Sequence, residues 1–274
     1  MNMKKLIKLG IVSFIISITL LGLFLYQPQE FKNKYNYVEQ CPTRVFTKAA
    51  IVFDSVLICG TEKVPQEKLE HAAQVTAQWL DNNQDGISDN LEINKALKEN
   101  NAVLLMSKKG FSSTFMIKLF RESEKRNMFG QDLYAQETNN PTRRDASQEE
   151  IHHLLTGAGW AKTYPDLFDD KSQTSKIYEG WKISDSKGYY NYNDPTCDAE
   201  CKTMEHLYKS AAAYLNASSD LRDDEFTIKN SQELKEKLPL MVELFESNEY
   251  NYPNKMWPDG KYLFDDNIHY LIKN

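Results

Sequence analysis

The sequence predicts an α+β protein. It has an N-terminal membrane anchor helix, a small mixed β-sheet with helices, one helix–loop–helix and a helical C-terminal half. Three observations predict this. From Arg44 to about residue 140, β-branched apolar runs alternate with helix-like segments. Beyond that point helical periodicity dominates, so residues 141–274 read as mainly helical. Between two of the early helices lies "DNNQDGISDNLE", Asp81 to Glu92, with oxygen-bearing side chains at alternate positions.

Composition sets the frame. The chain has 274 residues, 41% of them hydrophobic and 12% aromatic, enough for a real core. Its 33 basic and 39 acidic residues leave a net charge of −6 with no basic run, which argues against a nucleic-acid partner.

Residues 1–30 read as a separate signal anchor. Lys4, Lys5 and Lys8 precede the uncharged apolar run Leu9 to Tyr26, after which "QPQEFKNK" turns polar. The run is short for a membrane span and long for a signal-peptide core. No small-residue cleavage site follows it, so an uncleaved anchor is the reading, with secretion after cleavage as the alternative. The lysines mark the cytoplasmic end. Residues 31–274 are therefore expected outside the cytoplasm, in the periplasm or at the cell surface, with the membrane as a partner.

"RVFTKAAIVFDSVLICG" reads as one or two strands. Pro65 opens a helix, "PQEKLEHAAQVTAQWL", and "LEINKALKEN" forms another after the Asp81 loop. A strand is expected over 102–106, a helix after Gly110, a strand over 132–135, and the helix "SQEEIHHLLTG". Residues 164–194, rich in tyrosine, asparagine and aspartate, read as a long irregular loop. An amphipathic helix spans about 198–216, with Met204, Leu207, Tyr208, Ala211 and Leu215 on one stripe. A last helix, near 232–247, is interrupted by Pro239.

All four cysteines follow the anchor. Pairing Cys41 with Cys59 and Cys197 with Cys201 closes two short loops that can form early. A four-cysteine zinc site is disfavoured, because "CDAEC" has no matching CxxC.

The Asp81 loop satisfies D-x-[DN]-x-[DN]-G-x5-E throughout. Calcium takes six to eight hard oxygens. Asp81, Asn83, Asp85 and Glu92 would supply side-chain ligands, Ile87 its carbonyl and Asp89 a contact through water. Gly86 permits the sharp turn. The loop resembles the isolated EF-hand-like loops of secreted bacterial proteins, and no second loop appears. It could also be an Asx-rich turn with no ion. Outside a cell even a weak site fills, so a structural calcium ion is the expectation.

A second constellation lies in "SQEEIHHLL", Ser147 to Leu155. Ile151, Leu154, Leu155 and Ala158 form its apolar stripe, and Glu149 and His153 share the opposite face one turn apart, with His152 beside them. A carboxylate and an imidazole at i, i+4 can share one metal ion. The bland alternative is a capping box from Ser147 to Glu150 on a solvated polar face.

"EEIHH" resembles H-E-x-x-H with the first histidine replaced by Glu149. "TMEHLYKSAAAYL" resembles the helix that supplies the third ligand of gluzincin metallopeptidases, and "GTEKVPQEKLEHAAQVTAQWLD" is similar to the lead-in of lethal-factor-like zincins. The resemblance implies that Glu149, His153 and Glu205 hold a metal, with Glu150 as general base and Tyr192 stabilising an oxyanion. Two carboxylates and one imidazole make a harder site than the usual donor set, open to Mn2+ or Fe2+ as well as Zn2+. The expected function is a membrane-anchored extracytoplasmic calcium-binding protein with a zincin-like metallohydrolase site, either active on peptide or cell-wall polymer or degenerate. The alternative is a non-catalytic, calcium-stabilised surface module that binds through Tyr178, Trp181, Tyr189 and Tyr190.

Overall fold

The run of β-branched residues after Arg44 folds back on itself as a hairpin. Strand β1 (Phe46–Val52) and strand β2 (Val56–Thr61) pair antiparallel. Phe53 and Asp54 turn the chain with φ of 49° and 50°, the left-handed conformation that matches the twist of a hairpin. The structure, a computed structural model, describes residues 38–272.

Helices α1 (Gln66–Leu80) and α2 (Leu91–Glu99) then carry the chain across to β3 (Val103–Ser107), which lies parallel to β2. Helix α3 (Ser113–Lys125) makes the next crossover to β4 (Gly130–Tyr134), parallel to β3. Parallel neighbours need such crossovers, so helices cover both faces of the sheet. One face buries Ala50, Val52, Ile58, Leu104, Met106 and Leu133 in the main core. The other buries Phe46, Ala49, Cys59, Val103 and Leu105 with Leu119 of α3.

Helix α4 (Ala146–Leu155) packs against β4 and α1 and runs on into a π-helical turn, Thr156–Trp160. Gly157 is required there, since a Cβ would stand 2.4 Å from the Phe129 ring. Helices α5 (Lys176–Ser186), α6 (Ala199–Tyr214), α7 (Ser231–Lys237) and α8 (Pro239–Glu246) complete the helical part. Pro239 separates α7 from α8, as the missing N–H of proline dictates.

Three expectations are corrected. The C-terminal half is not wholly helical: β5 (Ile268–Ile272) returns to pair antiparallel with β1, giving the sheet order β4-β3-β2-β1-β5. The described fold holds no anchor helix: among the described residues no helix is long and apolar enough to cross a membrane. The anchor segment itself, residues 1–30, lies outside the described residues. Residues 164–194 are also not one irregular loop. They hold α5 and a short helical turn, Pro165–Phe168, whose aromatics pack inward.

Both disulfides form as expected, Cys41–Cys59 and Cys197–Cys201, with Cα separations of 5.9 and 5.2 Å. Disulfides persist in oxidising compartments, so the bridges point to an oxidising or extracytoplasmic setting.

Candidate metal centre

Asp145 sets the position of α4. Its carboxylate accepts from the Ser147 amide at 3.1 Å and the Ser147 hydroxyl at 2.7 Å, and it meets His71 Nε2 at 2.5 Å. Ser147 therefore lies inside the helix and does not cap it. The Ser147–Glu150 capping box does not form, which leaves Glu150 free for another contact. Gln131 Nε2, on edge strand β4, donates to Glu150 Oε2 at 2.5 Å.

One turn of α4 separates Glu149 from His153, and α6 brings Glu205 against them. The ligand atoms of Glu149, His153 and Glu205 all lie within 4.8 Å of one another. Among the described residues this is the one such group of histidine, cysteine or acidic side chains. His153 Nε2 stands 3.9 Å from Glu205 Oε2, and it is buried without a hydrogen-bond partner. Its other nitrogen, Nδ1, lies 4.0 Å from Glu150 Oε2. An orphaned imidazole nitrogen facing two carboxylates is the donor set of a cation site. These three residues form a group able to hold a metal ion.

The electrostatics agree. Burial and the adjacent Glu149 charge push the Glu205 carboxyl far up, to about 9. At Glu149 burial also acts upward, but the Arg144 guanidinium and His153 outweigh it and hold the group below its ordinary range. Two carboxylates in contact cannot both stay ionised without a compensating proton or cation. Burial, reinforced by Glu149, lifts the Glu150 carboxyl to about 7.

Arg144, Lys209, Tyr208 and Gln131 were not expected at this site from the sequence. Arg144 forms an ion pair with Glu149 Oε2, so the anionic excess of a two-carboxylate site is partly neutralised. Lys209, one turn beyond Glu205 on α6, is buried and ion-paired with Asp223, while its ammonium donates to the Asp220 carbonyl at 3.1 Å. Tyr208 places its ring 6.0 Å from that of His153, and its hydroxyl donates to Asp220 at 2.6 Å. The spacing of Lys209 at i+4 from Glu205 was a usable signal. Arg144 and Gln131 carried none.

No protein-family model and no curated protein matches this chain. Its functional reading rests on its own geometry.

The other expected residues fall as follows. His152 turns away from the polar face, buried with Nε2 2.7 Å from the Tyr252 hydroxyl. Tyr192 is half-buried and its ring stacks 6.0 Å from that of Tyr190. Burial and then the charges of Glu205, Glu225 and Glu149 push its phenol up to about 12. Trp181 and Tyr190 are buried, and Tyr178 and Tyr189 pack against the core, so these four form no exposed aromatic strip.

The Asp81 loop joins α1 to α2. Asp81 is buried, and its carboxylate accepts from the Asp85 amide at 3.1 Å, the Gly86 amide at 2.8 Å and the Tyr262 hydroxyl at 2.6 Å. Gly86 has φ of 87°, the left-handed turn expected of the sixth position. Asn83 and Asp85 bond to each other across the turn, and Asp89 accepts from the Asn82 amide at 2.7 Å. Burial, with Asp81 and Asp85 nearby, holds the Asp89 carboxyl above its ordinary value. Ile87 and Glu92 are exposed, and Asn90 caps α2 by accepting from the Glu92 and Ile93 amides. Among the described residues the acidic side chains of the loop do not form a converging group like that of α4 and α6, and Glu92 Oε2 accepts from the Tyr164 hydroxyl at 3.4 Å.

Proposed function

We propose that this chain is an extracytoplasmic, metal-dependent hydrolase of the zincin-like type, with a calcium loop that braces it. The observation that carries the reading is the convergence of Glu149, His153 and Glu205 from two helices around the unpartnered His153 Nε2. By ligand chemistry the ion is Zn2+, Mn2+ or Fe2+, and the two carboxylates favour the harder pair. When bound, the ion supplies Lewis acidity toward a carbonyl oxygen.

The chain's own residues would do the remaining work. Arg144 orients Glu149 and balances its charge. Glu150 lies beside the three ligands without belonging to their group, and burial poises it near neutrality. A carboxyl so placed can accept a proton and return it to a leaving group. The Tyr192 hydroxyl stays protonated at neutral pH and can donate to a developing oxyanion. Peptide or cell-wall polymer is the substrate class this machinery suits. In the loop, Asp81, Asn83, Asp85, Ile87, Asp89 and Glu92 would hold Ca2+, since oxygen donors at that spacing suit a hard cation.

Metal analysis of the purified chain, counting calcium and transition metals separately, tests both sites. One transition-metal equivalent should be lost in Glu149→Ala, His153→Ala and Glu205→Ala, and kept in Asp81→Ala. If the three substitutions leave metal content unchanged, the reading fails.

A further inference from the structure

Helix α3 and strand β4 do not close against each other. Side chains alternate across a strand, and Leu133 of β4 lies in the main core, so Gly130 and Asp132 fall on the face that α3 covers. Gly130 has no side chain, and a Cβ there would come no closer than 3.6 Å to Leu105 and Val103. A cavity of about 400 Å3 remains beside it. Its apolar walls are Leu105, Met116, Leu119, Phe120, Met128 and Phe129, and Phe120, 67% exposed, connects it to solvent. Three oxygen-bearing side chains join that lining, Ser123, Glu124 and Asp132. Ser123 Oγ is buried with no hydrogen-bond partner, on a residue only 7% exposed. The Glu124 carboxylate has no hydrogen-bond or ion-pair partner within the described residues. Asp132 bonds to the Tyr134 side chain and keeps further lone pairs free. No lysine, arginine or histidine lines the cavity, although residues 108–126 carry six basic side chains.

We propose that this cavity binds an apolar amine, with a ring or branched alkyl group against the Leu, Met and Phe walls and a primary ammonium against Ser123, Glu124 and Asp132. The volume and the mainly apolar lining with a few polar groups are those of small-ligand sites. Two methionines let the walls adapt to the shape of the apolar part. The polar part is chosen by charge and by hydrogen-bond role. An ammonium has three N–H donors and no acceptor, and the lining offers it a hydroxyl oxygen and two carboxylates. A carboxylate ligand would meet two like charges and no cation. A purely apolar ligand would leave Ser123 Oγ buried and unpaired, which costs free energy that the ammonium recovers. The site stands apart from the metal reading. Its walls belong to the second core, under α3, whereas Ile151, Leu154 and Leu155 of α4 belong to the main core. Of the lining residues Gln131 also touches Glu150, and none belongs to the Glu149–His153–Glu205 group.

Titration calorimetry on the full chain at neutral pH, with phenethylamine, 2-phenylethanol and 3-phenylpropanoate as separate probes, tests this. The amine should bind about tenfold more tightly than the alcohol, because its hydrogen bonds are charge-assisted, and the propanoate should not bind. Glu124→Gln and Ser123→Ala should each weaken the amine several-fold, and Glu124→Gln should leave the alcohol unchanged. Ser123→Ala should not lower the melting temperature of the empty protein, since the hydroxyl it removes has no partner to lose. Chelator and His153→Ala should leave amine binding as it was. No binding of the amine overturns the proposal, as does a propanoate or alcohol that binds equally well. Amine binding indifferent to both Glu124→Gln and Ser123→Ala overturns it too. Amine binding lost with chelator or in His153→Ala would place the amine at the metal centre, and this cavity would then hold nothing.

Discussion

At the scale of single residues, the candidate metal centre is governed by which charges are compensated. Glu149 has Arg144, Glu205 faces Glu149 with His153 Nε2 3.9 Å away, and Glu150 has the Gln131 amide. Replacing Arg144 with glutamine leaves Glu149 buried beside Glu205 without its cationic partner. We expect the apo chain to lose stability, by about 1–3 kcal/mol because the Arg144 end of the pair is partly exposed, and to recover part of it on metal addition. Thermal melting with and without Mn2+ reads this. A melting point unmoved by the substitution would show that the pair carries no energy. Glu150→Gln should keep the bound metal and lower hydrolysis of a peptide or wall-polymer substrate by about 10²–10⁴-fold, since a base does not hold the ion.

His206 provides a pH prediction. It is fully buried, with Nε2 2.8 Å from the Ser184 hydroxyl, and burial lowers it to about 3 from an ordinary 6.5. The unfolded chain takes up a proton below pH 6.5 and the folded chain does not until about 3. Stability is therefore fully present above pH 6.5 and declines as pH falls through that window. The slope from this one group is about 1.4 kcal/mol per pH unit. Urea midpoints at several pH values between 7 and 4 should fall more steeply for the wild type than for His206→Gln. Equal slopes would rule His206 out as a source.

At the scale of elements, α4 matters most, because it carries Glu149, Glu150 and His153 together. Its start is fixed by Asp145, which serves as cap and as partner of His71. Asp145→Ala should cost about 1 kcal/mol for the cap, with a further loss from leaving His71 unpaired. Asp145→Asn keeps a capping oxygen and should recover most of the cap contribution; chemical denaturation of both variants separates the two parts. The Cys41–Cys59 bridge ties the segment before β1 to the middle of β2, its ends 18 positions apart in the sequence. Removing it should cost about 3 kcal/mol through freedom regained by the unfolded chain. A reduced chain as stable as the oxidised one would contradict that.

At the scale of the whole molecule, residues 254–262 connect the two proposed metal sites. Met256 and Tyr262 contact the Asp81 loop, Pro258 accepts from Gln148 Nε2 at 2.5 Å, and Trp257 packs on Trp79 and Tyr208. Trp79 in turn donates from Nε1 to the Gln148 carbonyl at 3.2 Å. Calcium at ten times its dissociation constant adds about 1.4 kcal/mol of stability by mass action, and this strap leads toward the α4–α6 group. Chelating calcium with transition metal kept in excess should therefore lower the melting temperature and weaken metal retention at Glu149, His153 and Glu205. Asp81→Ala should abolish the calcium-dependent part of the shift. Loss of the shift with metal retention intact would mean that the strap transmits nothing.

Features under local chemical control were legible in the sequence. The hairpin residues, the helices opened by Pro65 and carried by the Met204 stripe, the glycine turn at Gly86 and both disulfides follow from propensity, periodicity and short loop closure. The sequence also brought Glu149 and His153 together, because one helical turn does that wherever the helix lies. The tertiary structure decided the rest. Whether Glu205 met that pair depended on how α6 crosses α4, and helix crossing is set by packing between distant segments. Arg144, Gln131 and Lys209 entered the site for the same reason. The return of β5 to β1 was hidden, since a five-residue strand carries little period and draws its stability from pairing more than 200 residues away. Asp145 took the cap that local spacing offered to Ser147, because a buried carboxylate could answer His71 as well as the helix start.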